Sequence, residues 1–88
     1  MQNNILEKIV EIVNKEFDIK LENVLSSDTL ISYGIDSIAF MTMIIYIEEE
    51  YSIEFSFDGI FMKEYSDVTF DDLMEEINNL INKAGEEI

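Results

Sequence analysis

The centre of this chain is the segment Gly34-Ile35-Asp36-Ser37-Ile38, which opens a predicted helix that runs to about Tyr51. Asp36 is a favoured helix N-cap residue, because its carboxylate can accept the free N–H groups of the first turn. Gly34 permits a sharp backbone approach to that cap. Ser37 is therefore expected at the first helical position, near the positive end of the helix dipole. This position suits a hydroxyl that carries a phosphate group, although an Asp-Ser pair can also be a simple cap.

The wider context of Ser37 favours the first interpretation. The segment Leu30-Ile31-Ser32-Tyr33 precedes it, and the helix ends in Ile47-Glu48-Glu49-Glu50-Tyr51, followed by Ser52-Ile53-Glu54-Phe55. With these flanks the whole chain resembles the acyl and peptidyl carrier proteins, whose pattern includes Gly-x-Asp-Ser-Leu/Ile and a helix that ends in an acidic run. The resemblance implies that Ser37 carries a 4'-phosphopantetheine arm, whose thiol holds cargo as a thioester. It also implies that Asp36 helps a transferase position its metal and the serine.

Composition limits the chain to a narrow range of chemistry. Its 88 residues are expected to form a single domain over 1–88, and three glycines without any proline favour helices. The chain has no cysteine and no histidine, so it lacks thiolate ligands and the commonest general base. No segment has the ligand pattern of a calcium-binding EF-hand loop. A self-contained active site is therefore not expected, and neither is a metal centre.

The charge of the chain indicates which partners it can bind. Twenty acidic residues against five basic ones give a formal charge of −15. This argues against nucleic acid and anionic membranes as partners. It favours either partners with positive docking patches or simply high solubility, and it disfavours tight self-association, so we expect a monomer. Because no apolar run could span a membrane and no signal peptide is visible, a cytoplasmic location is expected.

The first part of the chain is predicted to be a helix and a long connection. Helix one is expected over residues 3–17, where apolar side chains recur at helical spacing: Ile5, Leu6, Ile9, Val10, Val13 and Phe17. No helical period continues from Asp18 to Ile35. A loop of this length is uncommon in a small domain, so its apolar side chains are expected to plug the top of a bundle: Ile19, Leu21, Val24, Leu25, Leu30 and Ile31. Ser26-Ser27-Asp28-Thr29 supplies a turn within it.

Helix two has two apolar faces. The first is expected to face the core and contains Phe40, Met43, Ile44, Ile47 and Tyr51. The second, the apolar strip, contains Ile38, Met41 and Ile45. An ordinary surface helix needs only one apolar face, so either the helix is buried on both sides or the apolar strip is a docking surface. We favour docking, with Thr42 beside the strip and Glu48 and Glu49 as an electrostatic rim.

The distribution of acidic residues indicates the subfamily. Fatty-acid-synthesis carriers place acidic residues along the exposed face after the serine, whereas here Ala39 and Thr42 occupy the early exposed positions. The acidic run Glu48-Glu49-Glu50 comes late, where it opposes the helix dipole; it could also be only a solvated face. The pattern is more similar to free-standing peptidyl carriers of secondary metabolism, which work with separate amino-acid-activating enzymes.

The last third of the chain is predicted to close the bundle. Ile53, Phe55 and Phe57 alternate with polar residues, but a lone strand would have no partner. Asp58-Gly59 marks a turn and Ile60-Phe61-Met62 is expected in a short third helix, with Phe55, Phe57, Phe61 and Tyr65 in the core. Thr69 is expected to cap the last helix with Asp72, and Gly85 to end it. Its core face is Phe70, Leu73, Met74, Ile77, Leu80 and Ile81.

We therefore expect an all-α four-helix bundle with three long helices, one short helix and a long first loop. The resemblance implies a non-catalytic carrier for nonribosomal peptide or related biosynthesis. Its partners would be a phosphopantetheinyl transferase, an adenylating or acyl-activating enzyme, downstream transferases or condensing enzymes, and a thioesterase. The alternatives are a fatty-acid or polyketide carrier and an unmodified acidic adaptor. An enzyme with Ser37 as nucleophile would have to use Lys20 or Lys63 as its base.

Overall fold

The computed structural model of the protein describes residues 2–56 and 63–86. Three helices account for most of them: α1 (Gln2–Glu16), α2 (Ser37–Tyr51) and α3 (Phe70–Glu86). Short 3-10 turns lie at Ile31–Tyr33 and Tyr65–Asp67. The all-α prediction is confirmed, and α2 has the predicted limits. The expected short helix around Ile60 lies outside the described residues, as do Phe57, Phe61 and the turn at Asp58-Gly59.

One face of each helix forms the core. The buried side chains on the helices are Ile5, Ile9, Ile12 and Val13 of α1, Phe40, Met43, Ile44 and Ile47 of α2, and Phe70, Leu73, Met74 and Ile77 of α3. Burial of a large apolar side chain contributes about 2 kcal/mol to folding. The predicted core faces are thus confirmed, with Ile12 as an addition. Six of the predicted side chains are only partly buried and pack against the core at its edge: Leu6, Val10, Phe17, Tyr51, Leu80 and Ile81.

The long connection between α1 and α2 fills the end of the bundle only in part. Leu21 and Leu30 are buried there. Leu25 and Ile31 are exposed, so the expectation that they plug the bundle is wrong. Both lie at the start of tight turns, because Asp28 N–H donates to the Leu25 carbonyl (3.0 Å) and Ile31 begins a 3-10 turn. A chain that turns this tightly along a surface cannot direct every side chain inward.

Backbone hydrogen bonds join this connection to the start of α3. Leu30 N–H donates to the Val68 carbonyl (3.0 Å), and Phe70 N–H donates to the Asp28 carbonyl (3.1 Å). They flank a β-bridge between Thr29 and Thr69, which is the only strand-type pairing in the described part of the chain. The long connection is therefore ordered by pairing with the polypeptide just before α3.

The beginning of the connection is held by α1. The side chain of Asn14 accepts a hydrogen bond from Leu21 N–H (2.6 Å) and donates one to the Leu21 carbonyl (3.4 Å). An amide side chain can satisfy both backbone groups of one residue in this way. No pattern in the sequence indicated these two hydrogen bonds, so they are a finding of the structure.

The amino terminus of α3 has the predicted cap. Asp72 N–H donates to Thr69 Oγ1 (3.1 Å), and Thr69 N–H donates to Asp72 Oδ2 (3.0 Å). Lys63 Nζ lies 2.6 Å from the same Asp72 oxygen. Burial raises the pKa of Asp72, but the hydrogen bonds from Lys63 and Thr69 outweigh burial, so its pKa lies below the usual value.

The other end of α3 differs from the prediction. The helix includes Gly85 and is described as far as Glu86, so the expectation that Gly85 ends it is wrong. Glycine inside a helix costs about 1 kcal/mol relative to alanine but does not break it. None of the described helices is long and apolar enough to span a bilayer.

Candidate functional site

A tight turn delivers the chain to the amino terminus of α2. Gly34 has a left-handed backbone conformation (φ +86°), and its N–H donates to the Ile31 carbonyl (3.0 Å). A Cβ at this position would meet no atom within 4 Å, so the backbone angle and not space favours glycine here. Ile35 follows and is almost fully buried. The turn is therefore fixed by one left-handed residue and one core side chain.

Asp36 and Ser37 have the predicted geometry. Asp36 is the N-cap residue of α2, and its carboxylate accepts a hydrogen bond from Ala39 N–H (2.8 Å). Its carbonyl accepts from Phe40 N–H (2.8 Å). Ser37 is the first residue of the helix and is exposed. A serine hydroxyl thus stands at the positive end of a fifteen-residue helix, accessible from solvent.

Tyr65 supports the same turn from another part of the chain. Its hydroxyl donates a hydrogen bond to the carbonyl of Ile35, and its ring packs on Phe40 with centroids 5.0 Å apart. Burial, together with the negative charge of Asp36, raises the pKa of Tyr65 to about 12. The sequence predicted Tyr65 only as a core aromatic. It gave no signal for this hydrogen bond, because Tyr65 lies in an irregular segment where periodicity is uninformative.

The apolar strip of α2 is exposed. The exposed fractions are 77% for Ile38, 49% for Met41 and 57% for Ile45, so the alternative in which α2 is buried on both sides is wrong. Thr42 is also exposed, and its Oγ1 donates to the Ile38 carbonyl (3.1 Å). Ala39, expected to be exposed, is half-buried against the core. The exposed face that begins beside Ser37 is therefore apolar through its first turns.

The three glutamates at the end of α2 have different surroundings. Glu48 is half-buried, and its Oε2 accepts a hydrogen bond from Phe55 N–H (2.9 Å). Glu50 lies 3.6 Å from Lys8 Nζ of α1, whereas Glu49 is exposed. Glu48 therefore has a structural role that the sequence did not indicate, and Glu49 is the glutamate most available to a partner. Docking by either residue stays a prediction.

The two lysines that an enzyme mechanism would need are engaged elsewhere. Lys63 pairs with Asp72 at 2.6 Å, and the exposed Lys20 lies 3.5 Å from Glu22. Among the described residues no group of three or more carboxylate side chains could hold a metal ion. The described geometry thus gives Ser37 accessibility and a helix terminus, and neither lysine is placed as its base.

Comparisons with known proteins agree with this geometry. A family model described as "Phosphopantetheine attachment site" matches residues 7–80, which is most of the chain. The crystal structure of an acyl carrier protein from Thermotoga maritima superposes with a TM-score of 0.80 over 94% of this chain and 93% of that chain. The two sequences are 21% identical, so this likeness shows the fold. No curated protein sequence matches the chain.

Proposed function

The chain belongs to the family of phosphopantetheine attachment-site domains, and from this membership we propose that Ser37 is the residue to which the cofactor is attached. The domain is a carrier and not an enzyme, and its cofactor is covalent 4'-phosphopantetheine. The observation that carries the proposal is the exposed position of Ser37 directly after the Asp36 cap. When attached, the cofactor supplies a thiol that holds cargo as a thioester.

The surroundings of Ser37 fit a phosphate ester. The free N–H groups and the dipole of a helix amino terminus favour a negative group there. The space beside Gly34 is open, since no atom lies within 4 Å of a Cβ built on it. Asp36 has one carboxylate oxygen bonded to Ala39 N–H, and its second oxygen is available for a metal brought by the transferase.

The attachment step is a transfer between oxygen atoms. Ser37 Oγ forms a bond to the phosphorus that bears the pantetheine group of coenzyme A. The pyrophosphate bond of coenzyme A breaks, and 3',5'-adenosine bisphosphate leaves with its electron pair. The hydroxyl proton of Ser37 goes to a base of the transferase, because this chain has no histidine to accept it. The role of this chain is to present the hydroxyl at a fixed place.

The apolar strip supplies the docking surface in this proposal. Ile38, Met41 and Ile45 extend along α2 from the residue after Ser37, and Glu49 is exposed one turn beyond Ile45. Exposed apolar side chains rimmed by charge are typical of protein interaction sites. The partners are the transferase, an adenylating or acyl-activating enzyme, and the downstream transferases, condensing enzymes and thioesterase that use the cargo.

Ser37 can be tested directly by intact mass. Wild-type protein incubated with a broad-specificity phosphopantetheinyl transferase, magnesium and coenzyme A should gain one phosphopantetheine. Ser37→Ala should gain none, while the control Ser27→Ala, which removes another exposed hydroxyl, should gain one as the wild type does. A folded wild type that gains no mass would favour the unmodified adaptor instead.

For the pathway we propose nonribosomal peptide or related secondary-metabolite biosynthesis. The support is the absence of acidic residues from the first turns of α2, which differs from fatty-acid-synthesis carriers. The modified protein should accept an aminoacyl group from a free-standing adenylating enzyme with ATP and an amino-acid mixture. Loading by a malonyl transferase with malonyl coenzyme A, without aminoacylation, would support the fatty-acid or polyketide alternative.

A further inference from the structure

We propose that Tyr65 is a positioning residue for the modification of Ser37, acting through its hydrogen bond to the carbonyl of Ile35. This inference rests on the proposed function, because it concerns the same serine. Tyr65 does not touch the reacting atoms. It determines where the backbone places them.

Tyr65 contacts the chain on both sides of Ser37. Its hydroxyl holds the carbonyl of Ile35, two residues before the serine. Its ring packs at 5.0 Å on Phe40, three residues after the serine. One side chain therefore connects the approach to α2 with the first turn of α2, and Asp36 and Ser37 lie between the two contacts.

The other hydrogen bonds of residues 34–36 are local, although the buried Ile35 side chain also anchors the turn in the core. Gly34 N–H and Ile35 N–H donate to the carbonyls of Ile31 and Leu30, within the preceding turn. Asp36 binds Ala39 N–H, within the following helix. The Tyr65 hydroxyl comes from thirty residues away in sequence. Among the described residues, this is the one side-chain hydrogen bond that connects residues 35–37 with a part of the chain distant in sequence.

A fixed hydroxyl matters because the transferase must align Ser37 Oγ with the phosphorus of coenzyme A. Small displacements of a reacting group away from its attack geometry can cost up to about a hundredfold in rate. The protein–protein contact that brings the two proteins together uses the exposed face of α2, which Tyr65 does not form. Loss of the tie should therefore lower kcat for modification and leave KM nearly unchanged.

The test compares Tyr65→Phe with a matched control, Tyr46→Phe. Tyr46 also packs on a phenylalanine, Phe17, with ring centroids 6.5 Å apart, and the charge of the nearby Glu16 carboxylate raises the pKa of its hydroxyl. Glu16 is the last residue of α1 and Phe17 follows it. Neither of these neighbours of Tyr46 belongs to the turn that carries Ser37. We expect Tyr65→Phe to lower kcat for phosphopantetheinylation about fivefold, with KM within twofold of wild type, while Tyr46→Phe leaves both constants unchanged.

Amide hydrogen exchange gives a second readout that a general loss of stability would not mimic. In Tyr65→Phe the amide of Ala39, which reports the Asp36 cap, should exchange faster than in wild type. The amide of Ile47, further along α2, should keep an opening free energy close to the free energy of global unfolding of the same variant. Should Tyr65→Phe prove too unstable to assay, slow exchange of the Tyr65 hydroxyl proton in the wild type supports the tie and rapid exchange overturns it.

The outcomes separate this inference from the proposed function. Wild type that is never modified at Ser37 removes the proposed function, and the positioning role falls with it. Wild type that is modified at Ser37, with Tyr65→Phe equal to it in kcat and in Ala39 exchange, overturns only the positioning role. An equal fall in kcat for Tyr65→Phe and Tyr46→Phe also overturns it, since the effect would then be general.

Discussion

At the scale of single residues, Gly34 sets the backbone direction from which the chain enters α2. A side chain there fits the space but not the left-handed angle of φ +86°. We expect Gly34→Ala to lower the free energy of unfolding by about 1–2 kcal/mol, the cost of this conformation for an L-residue. Gly34→Asn should lose less, because asparagine tolerates that angle. Urea unfolding measures both, and equal stability of Gly34→Ala and wild type would contradict the strain.

The raised pKa of Tyr65 predicts that the protein loses stability at high pH. Its pKa of about 12 in the fold exceeds the unfolded value near 10, because burial and the charge of Asp36 favour the neutral hydroxyl. A raised pKa of this kind contributes stability that is complete below the unfolded value and is lost as pH rises through the folded value. The excess stability of wild type over Tyr65→Phe should thus shrink as pH rises from about 10 to about 12. Urea unfolding at several pH values checks this, and a constant difference would contradict it.

At the scale of helices, α2 has one buried apolar face and one exposed apolar strip, for which we propose a docking role. Met41 is about half exposed, so Met41→Glu should leave the melting temperature nearly unchanged. It should lower kcat/KM for modification roughly tenfold, because a charge would be buried against an apolar partner surface. Asn79→Glu is the control, since it adds the same charge at an exposed position of α3. Equal rates for Met41→Glu and wild type would remove the apolar strip from the docking surface.

The end of α2 allows a comparison of two adjacent glutamates. Glu48→Ala removes the acceptor of Phe55 N–H and should cost about 1 kcal/mol of stability, as loss of a hydrogen bond does. Glu49→Ala should change stability by less than about 0.5 kcal/mol, as is usual at exposed sites. Thermal melts measure both. If loading rates fall for Glu49→Ala but not for Glu48→Gln, the rim of the docking surface is Glu49.

At the scale of the whole molecule, the net negative charge lowers the stability of the folded state. Twenty acidic residues against five basic ones leave a net charge of −15, and the acidic side chains repel one another on a small surface. At an ionic strength of 0.1 M, salt largely screens the repulsion between exposed charges that are more than about 10 Å apart. Raising sodium chloride from about 20 mM to 500 mM should therefore raise the melting temperature by roughly 5 °C, which corresponds to about 1 kcal/mol in a domain of this size. Choline chloride should act equally, and a sodium-specific rise would indicate ion binding instead of screening.

Local rules in the sequence were enough to predict the helices and the position of Ser37. Helical periodicity gives the core faces, and Asp36 identifies the start of α2, because both signals operate within a few residues. The tie between Tyr65 and Ile35 and the bond between Glu48 and Phe55 depend on how irregular segments fold back, for which the sequence has no periodic signal. For the same reason the sequence did not distinguish the buried Leu30 from the exposed Leu25 in the long connection.

The pairing of the long connection with the start of α3 has a consequence for the order of folding. Its bonds join Asp28 and Leu30 to Phe70 and Val68, which lie in opposite halves of the chain. Contacts of such long sequence separation form only after the entropy of closing the intervening loop has been offset. We therefore expect the segment that leads to α2 to become ordered late, after the helices have assembled. A nascent chain that has not yet emerged as far as residue 70 lacks the partners of Asp28 and Leu30, so we expect the proposed modification of Ser37 to be slower before the chain is complete.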